Sequence, residues 1–395
     1  MKDIIPRDLW EYKTADYFYQ LKNLFRKSGN YNQLYLAIRN LGVCLPINTG
    51  RAALVVALKA LKLLPGSNIG VPLFCCPVVF EAIEKAGGKP VFIDCEKDNF
   101  CLSVSDLEKK IKSLDCLIVV HMFGNPAEMN DILKIAGRIP VIEDCAQALG
   151  TKYRSKTVGK LGSISIFSFR SGKYISAGEG GAIFSADKAI FESSSKIIQR
   201  LPIPGRISEF KHMSKVALKS FLRQRPLYGI IGRRIWSAVS NYDSISRRRS
   251  IYLSRIYKSD LFLIKKRLEY FEIILQRQRK IASIYLKELN ISEEMMSREK
   301  PGTFCNRIYF PITFPSRSLR DKMAELLLRN NIDSMKYLDG LVPVARKYFG
   351  YKDDCPVSES LSERVLNIPC FYDMSEAEVG RIIDTFNKNW KQISA

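Results

Sequence analysis

Between Ser67 and Ser185 short apolar runs alternate with segments of helical periodicity, and few folds accommodate that rhythm. Asn68 to Pro72 reads as a strand, and Pro77 to Ala86 as a helix that starts after a proline. Pro90 to Asp94 (PVFID) is a strand, and Ser103 to Lys112, opening on SVSD, is a helix. Asp115 to His121 (DCLIVVH) is a strand, Glu128 to Ala136 a helix, and Pro140 to Asp144 (PVIED) a strand. Two more strands follow, near Ser163 to Phe169 and Gly181 to Ser185. Continuously apolar strands joined by helices of this length predict an α/β fold, with a mainly parallel sheet covered by helices on both faces. In open sheets of this kind ligands bind beyond the carboxyl ends of the strands. Asp94, His121 and Asp144 stand at such ends.

After Ser185 the alternation stops. One long amphipathic helix is expected over Lys265 to Leu289, with Leu268, Phe271, Ile274, Leu275, Ile281 and Tyr285 on one face. The remainder reads as strand (Ile308 to Phe314), helix (Leu319 to Asn330), short strand (Asp333 to Tyr337), strand (Val365 to Pro369) and helix (Ser375 to Trp390). The expected organisation is an N-terminal segment over 1–40, a large α/β domain over 41–200, a basic helical connection over 201–260 and a smaller C-terminal α+β domain over 261–395.

Composition removes several function classes. The N-terminus, MKDIIPRDLWEYKTADYF, carries charges where a signal peptide needs an apolar stretch. No uninterrupted apolar run approaches the roughly 18 residues of a membrane span. The ten cysteines form no CxxC pair. Reduced thiols in a cytoplasm are therefore the simpler reading. With only His121 and His212 present, a multi-histidine zinc site is disfavoured and no metal is expected. The chemistry then falls to carboxylates, lysine or a cofactor.

The stretch VIEDCAQALGTKYRSKTVGKLGSISIFSFRSGKYISAGEGG, from Val141 to Gly181, concentrates that chemistry. Asp144 ends one apolar run, and Lys173 follows another just before a glycine cluster. A carboxylate and an amine so placed suit pyridoxal phosphate: the carboxylate pairs with the pyridinium nitrogen and the amine bonds to the aldehyde. Further upstream, Asn48-Thr-Gly-Arg-Ala-Ala-Leu54 precedes a helical run, and helix N-termini attract phosphate. Taken singly, each residue has a plainer reading. Gly50 belongs to a cap, Asp144 to a salt bridge, Gln147 and Ser168 to backbone hydrogen bonds, and Lys173 to an exposed loop.

Taken together, the blocks VPLF at Val71, GGKPVFID at Gly87, HMFG at His121, IEDCAQALG at Ile142, FSF-x-x-x-K at Phe167 and GEGG at Gly178 resemble the DegT/DnrJ/StrS family of sugar aminotransferases. These are pyridoxal phosphate enzymes of aspartate aminotransferase fold type I. Weaker matches follow in RKIASIYLKEL from Arg279 and RVLNIPCFYDMSEAEV from Arg364. By that resemblance Lys173 is the cofactor-bonded lysine that shuttles a proton, and Asp144 holds the ring nitrogen protonated. Gln147 meets the ring oxygen. Ser168, with Gly50 and the backbone of Arg51 and Ala52, holds the phosphate. The resemblance further implies a homodimer, a keto-sugar nucleotide as substrate and glutamate as donor, with the product entering a polysaccharide or glycoconjugate. Dehydratases of the family carry histidine where this chain has Lys173, which favours transamination over dehydration.

Three departures accompany the resemblance. The ring-stacking aromatic aligns with Cys76, leaving Phe74, Phe80 or the thiol itself as substitutes. The histidine after FSF is Arg170, suited to an anionic substrate or to plain surface. The family's glycine-x-asparagine-x-arginine stretch, a phosphate ligand for the neighbouring subunit, has no counterpart after Ile197. In its place runs a basic segment. The net charge is +22, of which Arg206 to Arg267 contributes +13. A solvated helical face, a rim for a nucleotide diphosphate, or a membrane-surface helix using Leu218, Phe221, Leu222, Ile230, Ile231, Ile235 and Trp236 each accounts for it. Nucleic acid is not expected, and the membrane reading would place the protein peripherally at the inner membrane surface. A catalytically altered, membrane-associated or regulatory relative is the rival from another class.

Overall fold

The computed structural model describes residues 4–9, 11–24, 33–36, 41–224, 227–233 and 251–394. Within these, α1 (Thr14–Leu24) and β1 (Leu34–Leu36) precede β2 (Gly42–Ile47) and α2 (Gly50–Ala60). The alternating region forms as its patterning predicts: β3 (Asn68–Pro72), α3 (Val78–Ala86), β4 (Lys89–Ile93), α4 (Val104–Lys110), β5 (Cys116–Val120), α5 (Met129–Ala136) and β6 (Val141–Asp144). A two-strand ribbon, β7 (Lys152–Tyr153) and β8 (Lys156–Thr157), leads to β9 (Ile164–Ser168) and β10 (Gly181–Phe184).

These strands make an eight-stranded sheet in the order β1-β2-β10-β9-β6-β5-β3-β4. The pairings among β4, β3, β5, β6 and β9 are parallel, whereas β10, β2 and β1 join in antiparallel fashion. Strands β5, β6 and β10 are buried along their whole length, as continuous apolar runs in a helix-covered sheet should be. Helix α2 packs on α3, and α4 on α5.

Helices α6 (Lys188–Gln199) and α7 (Arg206–Phe221) follow, then α8 (Lys258–Leu268) and α9 (Phe271–Glu288). The single helix expected over Lys265 to Leu289 is thus two helices, parted at Glu269 and Tyr270. Arg267 turns inward to pair with Asp16 of α1 at 2.8 Å, and Tyr270 leaves helical geometry at φ −106°, ψ 3°. Within the basic segment, Gly229 lies in a π-turn over Tyr228–Gly232.

The C-terminal stretch adds β11 (Thr303–Phe304), β12 (Phe310–Thr313), α10 (Arg317–Arg329), β13 (Met335–Lys336), α11 (Leu341–Phe349), α12 (Pro356–Arg364), β14 (Val365–Ile368) and α13 (Glu376–Ile393). Strands β12, β14 and β13 form an antiparallel sheet. Its core of Phe310, Ile312, Met323, Leu327, Ile382 and Phe386 lies apart from the main core. A capping box at Ser375 and Glu378 starts α13. Helices α11 and α12 had no counterpart in the sequence reading, and their Leu341, Ala345, Phe349 and Leu361 pack into the main core.

Asp94, one of the strand-end acids, joins the two parts. It accepts hydrogen bonds from the Val357 amide at 3.0 Å, the Ser358 amide at 2.8 Å and the Ser358 hydroxyl at 2.7 Å. It therefore holds the start of α12 rather than a ligand. Asp106 of the SVSD start accepts from the Asp94 amide at 2.8 Å, so its carboxylate serves β4 instead of closing a capping box.

Candidate active site

Adjacent residues on a strand face opposite ways, and β6 uses this to separate two carboxylates. Glu143 is fully buried and accepts four hydrogen bonds. The amides of Gly159, Leu161 and Gly162 each donate at 2.7 Å, and His121 lies 3.1 Å from Oε2. Burial pushes the Glu143 carboxyl up, but His121 and these amides outweigh it and hold it below the ordinary value. His121 also accepts the Ala127 amide at its other ring nitrogen, 3.1 Å away. Both groups are consumed in holding the fold. Cys145 lies close enough to join them around a cation, yet burial raises its thiol far above the ordinary range. The cluster is a closed hydrogen-bonded core, not a set of waiting ligands.

Asp144, one residue on, is almost equally buried but has a single protein donor among the described hydrogen bonds, the Ala146 amide at 2.9 Å. Burial raises its carboxyl, opposed by Ala146, Lys173 and His121. Lys173 sits in the β9–β10 loop, in a turn closed by its own amide on the Arg170 carbonyl at 3.1 Å. Burial first, and then Arg170, push the Lys173 amine down to about 8, while Asp144 and Cys76 act against them. The structure brings Asp144 and Lys173 into one electrostatic field at the carboxyl end of the sheet.

The α2 start meets the same place. A Cβ on Gly50 would lie 2.8 Å from Ser168 Cβ, so only glycine lets the helix end approach that hydroxyl. From the other side, a Cβ on Gly181 would lie 2.5 Å from the Thr49 carbonyl, which explains a glycine of the GEGG cluster. Thr49 caps α2 by accepting the Ala52 amide at 3.1 Å. That takes Ala52 out of the set expected to hold a phosphate. Among the described hydrogen bonds, neither the Arg51 amide nor the Ser168 hydroxyl has a protein partner. An anion at a helix N-terminus, beside one glycine and one serine, fits that donor set.

Gln147 is buried and already engaged. Its carbonyl oxygen accepts the Phe123 amide at 3.0 Å, and its Nε2 donates to the Tyr337 hydroxyl at 2.8 Å. Cys76 is half-buried, in electrostatic contact with Arg170 and Lys173. Phe74 and Phe80 both sit in aromatic clusters. Phe74 packs against Phe100, Phe123 and Tyr337, and Phe80 against Phe92 and Phe349. Arg170 is exposed on the site, within the fields of Cys76, Glu179, Tyr309 and Tyr337.

Tyr309 and Tyr337 were missed from sequence, where each looked like an ordinary strand aromatic. A small cavity of about 40 Å³ on the other side of Lys173 is lined by Arg7, Asp8, Tyr309 and Tyr372 among others. The N-terminal segment that closes it pairs Ile5 with Ile332. It is tied to the basic segment by the Arg223–Asp8 ion pair. The chain from Ile251 onward also returns to the site: Asn48 Nδ2 donates to the Tyr252 carbonyl at 2.9 Å.

The opposing fields on Lys173 give a signed expectation. Arg170→Ala should move the titration midpoint of Lys173 upward from about 8, and Asp144→Asn should move it downward. The pH dependence of amine-labelling rates at Lys173 in cofactor-free protein measures both. A midpoint at the ordinary lysine value, about 10.4, would contradict the reading.

The model of the DegT/DnrJ/EryC1/StrS aminotransferase family matches residues 36–214 and 252–387. GDP-perosamine synthase of Escherichia coli O157:H7 is 28% identical over 96% of this chain and 92% of its own length. The UDP-N-acetyl-3-dehydro-alpha-D-glucosamine 3-aminotransferase of Acidithiobacillus ferrooxidans is 26% identical over 85% of this chain and 80% of its own length. Among solved structures, Streptococcus pneumoniae Spr1654 in its PMP form superposes with a TM-score of 0.77 at 19% identity, covering 99% of this chain and 98% of that one. The same protein in its PLP form gives 0.76. The fold is that of these aminotransferases, and the chain belongs to the DegT/DnrJ/EryC1/StrS aminotransferase family.

Proposed function

We propose that this aminotransferase uses pyridoxal phosphate to convert a keto-sugar nucleotide into an amino-sugar nucleotide, with glutamate as donor, and that it works as a homodimer. The observation that carries the reading is the division of labour on β6. Glu143 is saturated by the fold, whereas Asp144 keeps acceptor capacity facing an amine lowered to about 8. When bound, pyridoxal phosphate supplies an aldehyde that carries the amino group and a ring that accepts electron density from the substrate carbon.

The chain's own groups do the rest. Asp144 holds a proton on the ring nitrogen by charge and hydrogen bonding. Lys173, partly neutral near pH 8, takes a proton from substrate carbon and returns it, which suits a general base poised near working pH. Ser168 Oγ and the Arg51 amide hold the phosphate, with Gly50 leaving room. Arg170 offers a cation to a carboxylate or phosphate of the reactants. The nucleotide-sugar substrate is supported by the similarity to GDP-perosamine synthase and to the UDP-N-acetyl-3-dehydro-alpha-D-glucosamine 3-aminotransferase. Lysine at position 173 favours amino transfer over dehydration.

Titrating the purified protein with pyridoxal phosphate should produce the visible absorbance band of a lysine-bound cofactor. Adding glutamate should bleach that band, and one member of a panel of keto-sugar nucleotides should restore it. Absence of cofactor binding sinks the reading. Bleaching by another amino acid alone corrects the donor.

A further inference from the structure

The segment least like the family also exposes much of the apolar surface. Family similarity stops at residue 214 and resumes at 252, and α7 runs across that stop. One face of α7, Glu209, Met213, Val216 and Ser220, is buried. Val216 packs onto Gly178, and Glu209 accepts the Ser259 amide at 3.2 Å. At about 100° per residue, Ile207, Phe210, Leu218 and Phe221 share the opposite face. They are 75%, 48%, 61% and 56% exposed. Ile203, just before the helix, and Phe18 of α1 are also exposed. Phe18 stands edge-on to Tyr17, whose hydroxyl lies 3.5 Å from Ser214 Oγ in the middle of the stripe. A contiguous apolar patch of this kind marks an interaction site.

The charges beside the stripe choose the partner. Lys211, Lys215 and Lys219 run along one flank, one turn apart, and Arg206 lies on the other. The only acid in α7 is Glu209, and it faces inward. A second α7 would bring more lysines and no acid to meet them. A surface of anionic headgroups over an acyl boundary meets both the cations and the apolar stripe.

We propose that α7 docks this enzyme on an anionic phospholipid surface. Ile207, Phe210, Leu218 and Phe221 enter the acyl boundary, and Arg206, Lys211 and Lys215 rest among the phosphates. Contact is in the plane of the surface, since among the described residues no helix is long and apolar enough to cross a membrane. Of the residues expected at a membrane-surface helix, Leu218 and Phe221 lie on this stripe, Leu222 beside it is half-buried, and Ile230 is exposed in the π-turn. Ile235, Trp236 and the Ile231 side chain lie outside the described residues. The proposal does not depend on the cofactor or substrate.

Full-length protein should co-sediment with vesicles containing about one-third phosphatidylglycerol and not with pure phosphatidylcholine, and salt should weaken the binding. The combined F210S/L218S/F221S variant should lower partitioning at least about tenfold. Lys211→Gln and Lys215→Gln should each lower it about fivefold. All five positions face solvent, and circular dichroism verifies that the variants remain folded. Wild type that stays in the supernatant with anionic vesicles at low salt overturns the proposal, as does a triple variant that binds like wild type. A wild type that ignores vesicles, but whose self-association is lost in the triple variant, replaces it with a contact between copies.

Discussion

Lys173→Ala should lower amino transfer by about a thousandfold or more, because it removes the amine that the proposed function assigns to proton exchange with substrate carbon. The fold should survive. Lys173 is half-buried in a loop, and the turn that positions it is closed by backbone atoms. Lys173→Arg should be nearly as inactive, since a guanidinium keeps its proton at every working pH. The discriminating measurement is single-turnover kinetics alongside a thermal melt. A variant that melts like wild type and retains more than about a tenth of its rate would remove Lys173 from the chemistry.

Glu143→Ala should cost about 4 kcal/mol of stability, because it leaves buried donors without their charged acceptor. Three amides and His121 lose their partner at once, and the 159–162 loop loses its anchor. Urea unfolding measures the loss, and a cost below about 1 kcal/mol would show that the loop is held otherwise. The pH dependence has a definite sign. The native carboxyl is held below its ordinary 4.5, so its stabilising contribution is present above that value. The contribution fades as pH falls through the lowered native value. Glu143→Gln should therefore flatten the acid limb of the stability profile.

The sequence makes the α/β core readable because each strand from Asn68 to Asp144 is a solid apolar run bounded by turn residues. It hides features that depend on distant partners. The break at Tyr270 is invisible, since α8 and α9 continue one apolar periodicity, while the Arg267–Asp16 pair and the turn at Tyr270 depend on tertiary contacts. Helices α11 and α12 are short and gain their stability from core contacts made elsewhere in the chain. At the proposed site, Asp144 and Ser168 stand out in sequence by their positions at strand ends, and Lys173 by its place in the family order. A hydroxyl cap on the Ala52 amide looks, in sequence, like an open helix end. For Phe74 and Phe80, sequence shows an aromatic's presence but not its direction. Tyr309 and Tyr337 come from the distal sheet, and no local pattern links them to Gln147.

The bond between Asp94 and Ser358 spans 264 residues, and this sets a timetable for biogenesis. Chain elongation at roughly 5–20 residues per second separates the emergence of those two residues by tens of seconds. Throughout that interval the nascent chain holds Phe80 and Phe92 without Phe349 and Tyr351, the rings that finally cover them. The half-built sheet therefore carries an uncovered aromatic face during translation. A message truncated before α11, and so lacking Phe349 and Tyr351, would yield a product that holdase chaperones retain and proteases clear.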